Sequence, residues 1–334
     1  MTKTDTRDVV ATIRQVRRLE AAGCDIVRVA VPDSEAASVL GRIKKASSVP
    51  IVADIHFDYR LALAALEAGV DGLRLNPGNI RDPAHVRKVI IAARERSVPI
   101  RIGVNAGSVP REFHPGFSLP ERMVELACEQ VRLLEGLDYN QIKISLKAFD
   151  VPSTVKAYEL MADRLDYPLH LGITESGLPE TGIIRSAIGL GILLGEGIGD
   201  TLRVSLTAPP EQEARAGLEI LRSLNMREAG PVLVSCPACG RAGADVAALA
   251  RRVKTLLNHV SLPVKVAVMG CEVNGPGEAR DADVGLACGK GRCAIFSRGR
   301  IVHTVPREKA LDSLAEEINR FVESVRAGKS SSGG

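Results

Sequence analysis

The chain is expected to fold as an α/β protein: a closed (β/α) barrel followed by a small α+β module. Three observations predict this. Strand-like and helical stretches alternate regularly up to about residue 224, the pattern of a parallel sheet wrapped by helices. Beyond that point the order changes to short strands with a helix among them and another at the end. At the change stands Cys236-Pro-Ala-Cys239, a thiol pair spaced to reach one metal centre.

The first element is a helix, in which Val9, Val10, Ile13, Val16 and Leu19 recur at helical spacing up to Gly23. A strand follows at 25–31. Further strands are expected at 50–57, 72–76, 99–105, 141–147, 169–174 and 201–207, with helices at 34–46, 58–68, 82–96, 119–135, 152–165, 180–195 and 211–224. That makes seven strands where a TIM-type barrel has eight, so the first strand is lacking from the chain as it stands. Two open edges would then invite aggregation, and the natural gene is expected to start upstream. In the second part, strands are expected at 231–235, 264–269, near 283–287 and near 293–304, with helices at 244–258 and 307–326. The expected division is a barrel over 1–225, a linker over 226–231, a second domain over 232–326 and a disordered tail over 327–334.

Composition excludes several classes. A net charge of +4, no Trp and 3% aromatic residues give neither an electrostatic footprint nor a stacking platform for nucleic acid. No apolar run reaches the ~20 residues needed to span a membrane. The N-terminal Met-Thr-Lys-Thr-Asp-Thr has no signal-type apolar core, and an odd count of seven cysteines favours metal chemistry over disulfides. Cytoplasm is the expected compartment.

Each barrel strand alternates with period two, and one face is polar where aliphatic packing is usual. Arg28 shares a face with Ala30, Asp54 with His56, Arg74 with Asn76, and Arg101 with Gly103 and Asn105. Lys143, Ser145 and Lys147 follow, then His170, Gly172 and Thr174, then Arg203 and Ser205. The opposite faces are Val, Ile and Leu, suited to lie under helices, so the polar faces point inward toward the mouth where barrel active sites sit. Asp54 and Glu175 are too few to offset these cations, and enclosed cations call for an anionic ligand. Bidentate arginines suit phosphate. A single barrel arginine is usually a structural ion pair; its repetition on strand after strand is not. His56 gains weight from Asp54 beside it as a catalytic pair, and Glu175 is either catalytic or a cap for the next helix. The glycines at 189, 191, 195, 197 and 199 match no nucleotide-binding loop and read as helix packing followed by a turn.

The thiol pair has an answering set downstream. Cys271 closes the apolar run 264–269, and Asn274-Gly275-Pro276-Gly277 must turn sharply, which can return Glu278 to the same metal. Three thiolates and a carboxylate suit an iron–sulfur cluster, with the non-cysteine ligand leaving one iron exchangeable. A structural zinc completed by Cys288 or Cys293 is the alternative. Otherwise Cys24, Cys128, Cys288 and Cys293 read as plain small residues. Besides a reductive enzyme, two other functions fit these features: a redox-neutral phosphosugar lyase or aldolase with a structural zinc module, or an iron–sulfur redox sensor.

Several runs resemble a known family. They are Val-Ala-Asp-Ile-His-Phe-Asp-Tyr-Arg at 52–60, Leu-Arg-Leu-Asn-Pro-Gly-Asn-Ile at 73–80, and Ile-Arg-Ile-Gly-Val-Asn-Ala-Gly-Ser at 100–108. Leu-His-Leu-Gly-Ile-Thr-Glu at 169–175, Glu-Gly-Ile-Gly-Asp-Thr-Leu-Arg-Val-Ser at 196–205, Cys-Pro-Ala-Cys and Asn-Gly-Pro-Gly-Glu complete the set. Together, over about residues 5–310, they resemble the 4-hydroxy-3-methylbut-2-enyl-diphosphate synthases of isoprenoid biosynthesis. The resemblance implies a barrel plus a ferredoxin-like or reductase-like module with a [4Fe-4S] cluster on Cys236, Cys239, Cys271 and Glu278. It implies reductive opening of a cyclic diphosphate, with flavodoxin or ferredoxin as electron donor. Substrate contacts carry over onto Arg28, His56, Arg74, Arg101, Asn105, Lys143, Glu175, Arg203 and Ser205, with Lys147 the alternative to Lys143 on the same face. The family has a strand before the first helix, ending in Ser-Met-Thr, and this chain begins at the Met-Thr.

Chain direction adds an expectation about assembly. The last barrel helix ends at the bottom of the barrel, and the connector 226–231 spans at most ~20 Å. A cluster module tethered there reaches an active-site mouth most economically in a head-to-tail homodimer, each module closing the other chain's barrel. The resemblance implies the same arrangement.

Overall fold

The computed structural model describes the chain except Phe57, 76–78, Arg81, Ala229, Ser261, 272–276, Glu278 and 331–334. Two of the predicted site residues, Asn76 and Glu278, therefore lie outside the described residues. The chain divides into two compact units, Met1–Met226 and Arg227–Gly334.

In the first unit, α1 (Val9–Ala21) leads into seven described strands that alternate with helices. These are β1 (Val27–Ala30), α2 (Ser34–Ala46), β2 (Ile51–Asp54), α3 (Tyr59–Glu67), β3 (Gly72–Arg74), α4 (Pro83–Glu95) and β4 (Ile100–Asn105). Then come α5 (Leu119–Glu135), β5 (Ile142–Lys147), α6 (Val151–Ala162), β6 (His170–Leu171), α7 (Pro179–Gly195), β7 (Thr201–Leu202) and α8 (Pro210–Ser223). Aspartates start many of the helices: Asp33 accepts from Ala36 N, Asp58 from Arg60 N, Asp82 from Ala84 N and Asp150 from Ser153 N. Each satisfies a backbone donor that the first turn leaves unpaired.

Strands β1 to β5 are parallel neighbours in chain order, as are β6 and β7, and an Ile144–Leu169 bridge carries β5 over to β6. The last two strands are shorter than expected, with two residues each in regular pairing. Residues near the N-terminus lie in the seam between β7 and β1. Thr2 N donates to Arg28 O on one side, at 2.9 Å, while Lys3 Nζ donates to Leu206 O on the other, at 2.7 Å, and also to Ala208 O. The aliphatic strand faces, among them Val27, Val29, Ile51, Ala53, Ile100, Ile102, Val104, Ile142, Ile144 and Leu146, are fully buried toward the helices, apart from Ile142 at 3%. Gly189 packs on Ile173, and Gly197 and Gly199 take positive φ in the following turn, the packing-then-turn reading of that glycine run.

The second unit has a mixed sheet in the order β12-β11-β10-β9-β8. Its strands are β8 (Val232–Ser235), β9 (Lys265–Met269), β10 (Val284–Cys288), β11 (Arg292–Ser297) and β12 (Arg300–Pro306). Helices α9 (Val246–Leu257) and α10 (Ala310–Ser330) pack on one face of this sheet. The small α+β class stands. The sequential strand order, with β8, β9 and β10 parallel, differs from the interleaved antiparallel sheet that ferredoxin-like denotes. The single strand expected near 293–304 is instead a hairpin, because Arg298 and Gly299 both take positive φ and reverse the chain in two residues. The tail expected to be disordered from 327 is helical up to Ser330, since Gly328 alone weakens that stretch and no proline stops it.

Cys288 and Cys293, expected to be plain small residues, form a disulfide. They face each other across the β10–β11 hairpin, with Cα atoms 4.1 Å apart. Their separation of only five residues hid a cross-strand pairing that the tight turn imposes.

Candidate active site

Strand register sets a row of side chains across the inner face of the barrel. Ala30 pairs with Asp54, Asp54 with Arg74, Arg74 with Arg101 and Arg101 with Lys143. Two residues further along β5 come Gly103–Ser145, and two further still Asn105–Lys147. Glycine at 103 leaves room here. A Cβ would lie 3.2 Å from Arg74 Nε and 3.3 Å from Ser145 Oγ, so any side chain would make these two groups give by a few tenths of an ångström.

Asp54 is the hub of this row. Its buried carboxylate lies 3.5 Å from Arg28 Nε, 3.4 Å from Arg74 Nη1 and 3.8 Å from His56 Nε2. The His56 ring is turned toward the same guanidinium, with Nδ1 3.5 Å from Arg74 Nη1. The cations outnumber this acid. Burial, together with mutual repulsion, pushes Arg28 down to about 10 and Arg101 to about 9, so both stay charged at neutral pH.

The two lysines of β5 are not equivalent. Lys143 is half-buried and lowered by burial and then by Arg101. Lys147 is only 8% exposed, and burial followed by the charges of Arg101, Arg203, Arg28 and Arg74 pushes it well below the lysine range. The barrel interior thus encloses Lys147 far more fully than Lys143.

Two groups in this region were not among the predicted site residues. Glu213, in the first turn of α8, is 5% exposed and accepts from Arg203 Nη2 at 3.2 Å and from Leu206 N at 3.0 Å. It also pairs with Lys3 Nζ at 3.1 Å. Arg203 is therefore tethered by a helix acid, and Asp54 and Glu175 were not the whole acidic complement. The buried face of α8 carries Glu213 beside Ala216, Gly217 and Ile220, and a charge on that face was the available signal. His170, on the inner face of β6, places Nδ1 2.9 Å from Thr201 Oγ1, and burial, then the nearby cations, push it well below the histidine range.

The remaining predicted residues stand at the C-terminal ends of their strands. Asn105, Thr174 and Ser205 are half-buried there, and Ser145 Oγ is buried and donates to Ile102 O at 3.3 Å. Glu175 is exposed with φ +53, a left-handed conformation that a non-glycine residue holds only under constraint. It does not cap the next helix, whose N-cap is Leu178.

In the second unit, β8 and β9 run parallel and end together. Cys236 follows β8 and Cys271 follows β9 with only Gly270 between. Cys236 N donates to Val268 O at 3.1 Å, and Gly270 N donates to Cys236 Sγ at 3.2 Å. Cys239, exposed, is lowered from the ordinary thiol range by the Arg241 backbone N–H and charge. Cys239 is thus a soft donor already held toward the thiolate form, and Cys236 and Cys239 are served by backbone N–H groups, the environment that iron–sulfur ligation uses. Among the described residues, no three His, Cys, Asp or Glu side chains form a metal-holding group, and Glu278 is not among them.

A parallel barrel with a cationic interior, followed in the chain by a separate cysteine-bearing α+β unit, defines a two-part barrel protein built to receive an anion. The sequence comparisons resolve which one. The family profile described as GcpE TIM-barrel domain matches residues 1–218, and that described as GcpE protein C-terminal domain matches residues 232–320. The chain belongs to the GcpE family. A relative from Dehalococcoides mccartyi is 57% identical over 318 residues, covering 95% of this chain and 91% of its own length. Another from Geobacter sulfurreducens is 57% identical over 324 residues, covering 96% and 92%. Both are named 4-hydroxy-3-methylbut-2-en-1-yl diphosphate synthase (flavodoxin). Among solved structures, a Xanthomonas albilineans dihydropteroate synthase aligns with 65% of this chain and 84% of its own at a TM-score of 0.50 and 17% identity, a likeness of fold alone.

Proposed function

We propose that this chain is an oxidoreductase of isoprenoid biosynthesis. It converts 2-C-methyl-D-erythritol 2,4-cyclodiphosphate to (E)-4-hydroxy-3-methylbut-2-enyl diphosphate, taking two electrons from reduced flavodoxin or ferredoxin. The observation that carries this reading is the enclosed set of Arg28, Arg74, Arg101, Lys147 and Arg203, against which the described buried acids are Asp54 and Glu213. Such a set is poorly compensated until a polyanion enters.

Arg28 and Arg74 are held apart by Asp54, with Arg101 next to Arg74 in register, so their donors can meet the two phosphates from different strands. Arg203, steadied by Glu213, closes the ring from the β7 side. Asn105, Thr174 and Ser205 orient the carbon skeleton at or beyond the strand ends, Asn76 is given the same role from the sequence alone, and Lys143 and Ser145 support the β5 side. Glu175 holds the proton that the departing hydroxyl takes as it leaves as water, and Asp54 with His56 sets the charge beside the ring oxygen. A [4Fe-4S] cluster held by Cys236, Cys239, Cys271 and Glu278 supplies single electrons and one exchangeable iron position when bound. The cytoplasm suits this set, since five of the seven cysteines are free.

Assembly as a head-to-tail homodimer is part of the reading. Support for self-association comes from α7, which exposes Ile184, Ile188 and Ile192 along one stripe. Mixing a Cys271→Ser chain with an Arg74→Ala, Arg101→Ala chain tests it. Crossed sites regain activity in the mixed species; sites built within one chain do not.

The function itself is tested by anaerobic purification and turnover of the cyclic diphosphate with a chemical reductant. The expected protein is brown with roughly four irons per chain. A colourless protein with one zinc, or no turnover by an iron-loaded one, would overturn the reading.

A further inference from the structure

The barrel interior holds more positive charge than its acids can balance, and three of the described amines near it can discard their charge: Lys147, the half-buried Lys143 and the Met1 amine beside Arg28, which burial and then Arg203 push down to about 5. Arg28, Arg74, Arg101 and Arg203 are guanidinium groups, which do not deprotonate in proteins. Lys147 is an amine. Its Nζ is pressed against the backbone of the β6 strand: a Cβ on Gly172 would lie 2.8 Å from that nitrogen and 2.6 Å from Arg203 O. The side chain is 8% exposed, and the nearest charges acting on it are all positive, from β1, β3, β4 and the stretch after β7.

Among the described residues, the neighbouring acids are already engaged by other cations. Asp54 on β2 is engaged by Arg28 and Arg74, and Glu213 on α8 is engaged by Arg203 and Lys3. On the β6 face that carries Gly172, the next inward side chain is His170. It is half-buried, its Nδ1 is committed to Thr201 Oγ1, and its Nε2 is buried with no hydrogen-bond partner among the described residues. Lys147 and His170 repel each other's protonated forms, as Arg101, Arg28 and Lys143 repel that of His170.

We propose that Lys147 is a neutral amine in the ligand-free barrel and takes up one proton from solvent as the cyclic diphosphate binds. The site would thus meet the dianion with four fixed charges and a fifth that arrives with it. This rests on the barrel being the diphosphate site, and deepens that reading by giving binding a proton stoichiometry.

The sign follows from linkage. A lysine with a depressed value in the free protein, restored toward the ordinary range by an adjacent dianion, binds a proton on ligation at any pH between the two values. In that window affinity falls as pH rises, by up to about tenfold per pH unit. Below the free value the amine is already charged and no uptake occurs.

Isothermal titration of the full chain with the cyclic diphosphate, reductant withheld, reads this directly. The ligand's phosphates are diesters and carry no titrating proton near neutrality, so buffer-dependent heat reports the protein alone. Titrations in HEPES and in Tris between about pH 7 and about pH 9 are expected to show uptake approaching about one proton per chain in wild type. Uptake should vanish in Lys147→Met and persist in His170→Gln. Binding with buffer-independent heat throughout would overturn the proposal and leave the diphosphate site intact. Uptake surviving in Lys147→Met would overturn the assignment to Lys147. If that variant binds too weakly to titrate, the wild-type affinity decides: a dissociation constant that does not rise with pH across the window overturns the proposal. Failure of wild type to bind the cyclic diphosphate would overturn the site reading and the proposal with it.

Discussion

Replacing Glu213 with alanine is expected to unfold a disproportionate share of the barrel's stability. The carboxylate is 5% exposed and joins the residues that follow β7 to α8 and to Lys3. Its loss leaves the buried Leu206 N–H, now 3.0 Å from an acceptor, unpaired, at a cost of about 1–3 kcal/mol. Breaking a buried ion pair by removing one partner costs about 3–5 kcal/mol, because the remaining Arg203 charge loses its compensation. Lys3 is 36% exposed, so solvent screens its share and it adds little. The first two figures describe overlapping losses and are not summed, giving an expected total of about 3–5 kcal/mol. Glu213→Gln keeps an acceptor for Leu206 N and should lose roughly half as much. Urea unfolding followed by far-UV circular dichroism measures both, provided the slope with urea is unchanged. A loss below about 1 kcal/mol for Glu213→Ala would show that the carboxylate is not a structural tie and that Arg203 is held by something else.

Other substitutions probe the remaining features. Gly172→Ala forces a methyl group against Arg203 O and Lys147 Nζ, so it should destabilise the first unit by about 1–3 kcal/mol and weaken cyclic diphosphate binding, both read by titration and urea unfolding. Unchanged stability would mean that the backbone at Gly172 and Arg203 O do not approach this closely. In the second unit, Gly285→Ala collides with the Phe296 ring opposite it and should cost about 1–3 kcal/mol, with partial recovery on adding Phe296→Leu. Arg74→Lys and Arg101→Lys keep the charge but lose the fork, and each should weaken cyclic diphosphate binding by about 1–3 kcal/mol. Equal affinity in both variants would remove these arginines from the phosphate site.

Much of this molecule could be read from local pattern. The alternation of strands and helices follows from period-two and period-3.6 hydrophobicity, and the inward direction of Arg28, Arg74, Arg101 and Lys147 follows from the pleat, because neighbours in a strand point to opposite sides. The thiol spacing around Cys236 and Cys239, and the family to which it belongs, were likewise carried by the order of residues alone. What local pattern could not carry was any contact between distant segments. Nothing in the sequence near Arg203 announces Glu213 as its partner, since the pairing exists only when α8 packs against the strand it follows. The deeper enclosure of Lys147 than of Lys143 exists only in the fold, where Lys147 Nζ occupies space that a side chain at position 172 would need. Cys288 and Cys293 became a pair only because the hairpin places them opposite one another. Periodicity fixes which way a side chain points; only packing decides what it meets there, and that second fact sets the charge, the pairing and the enclosure of this barrel.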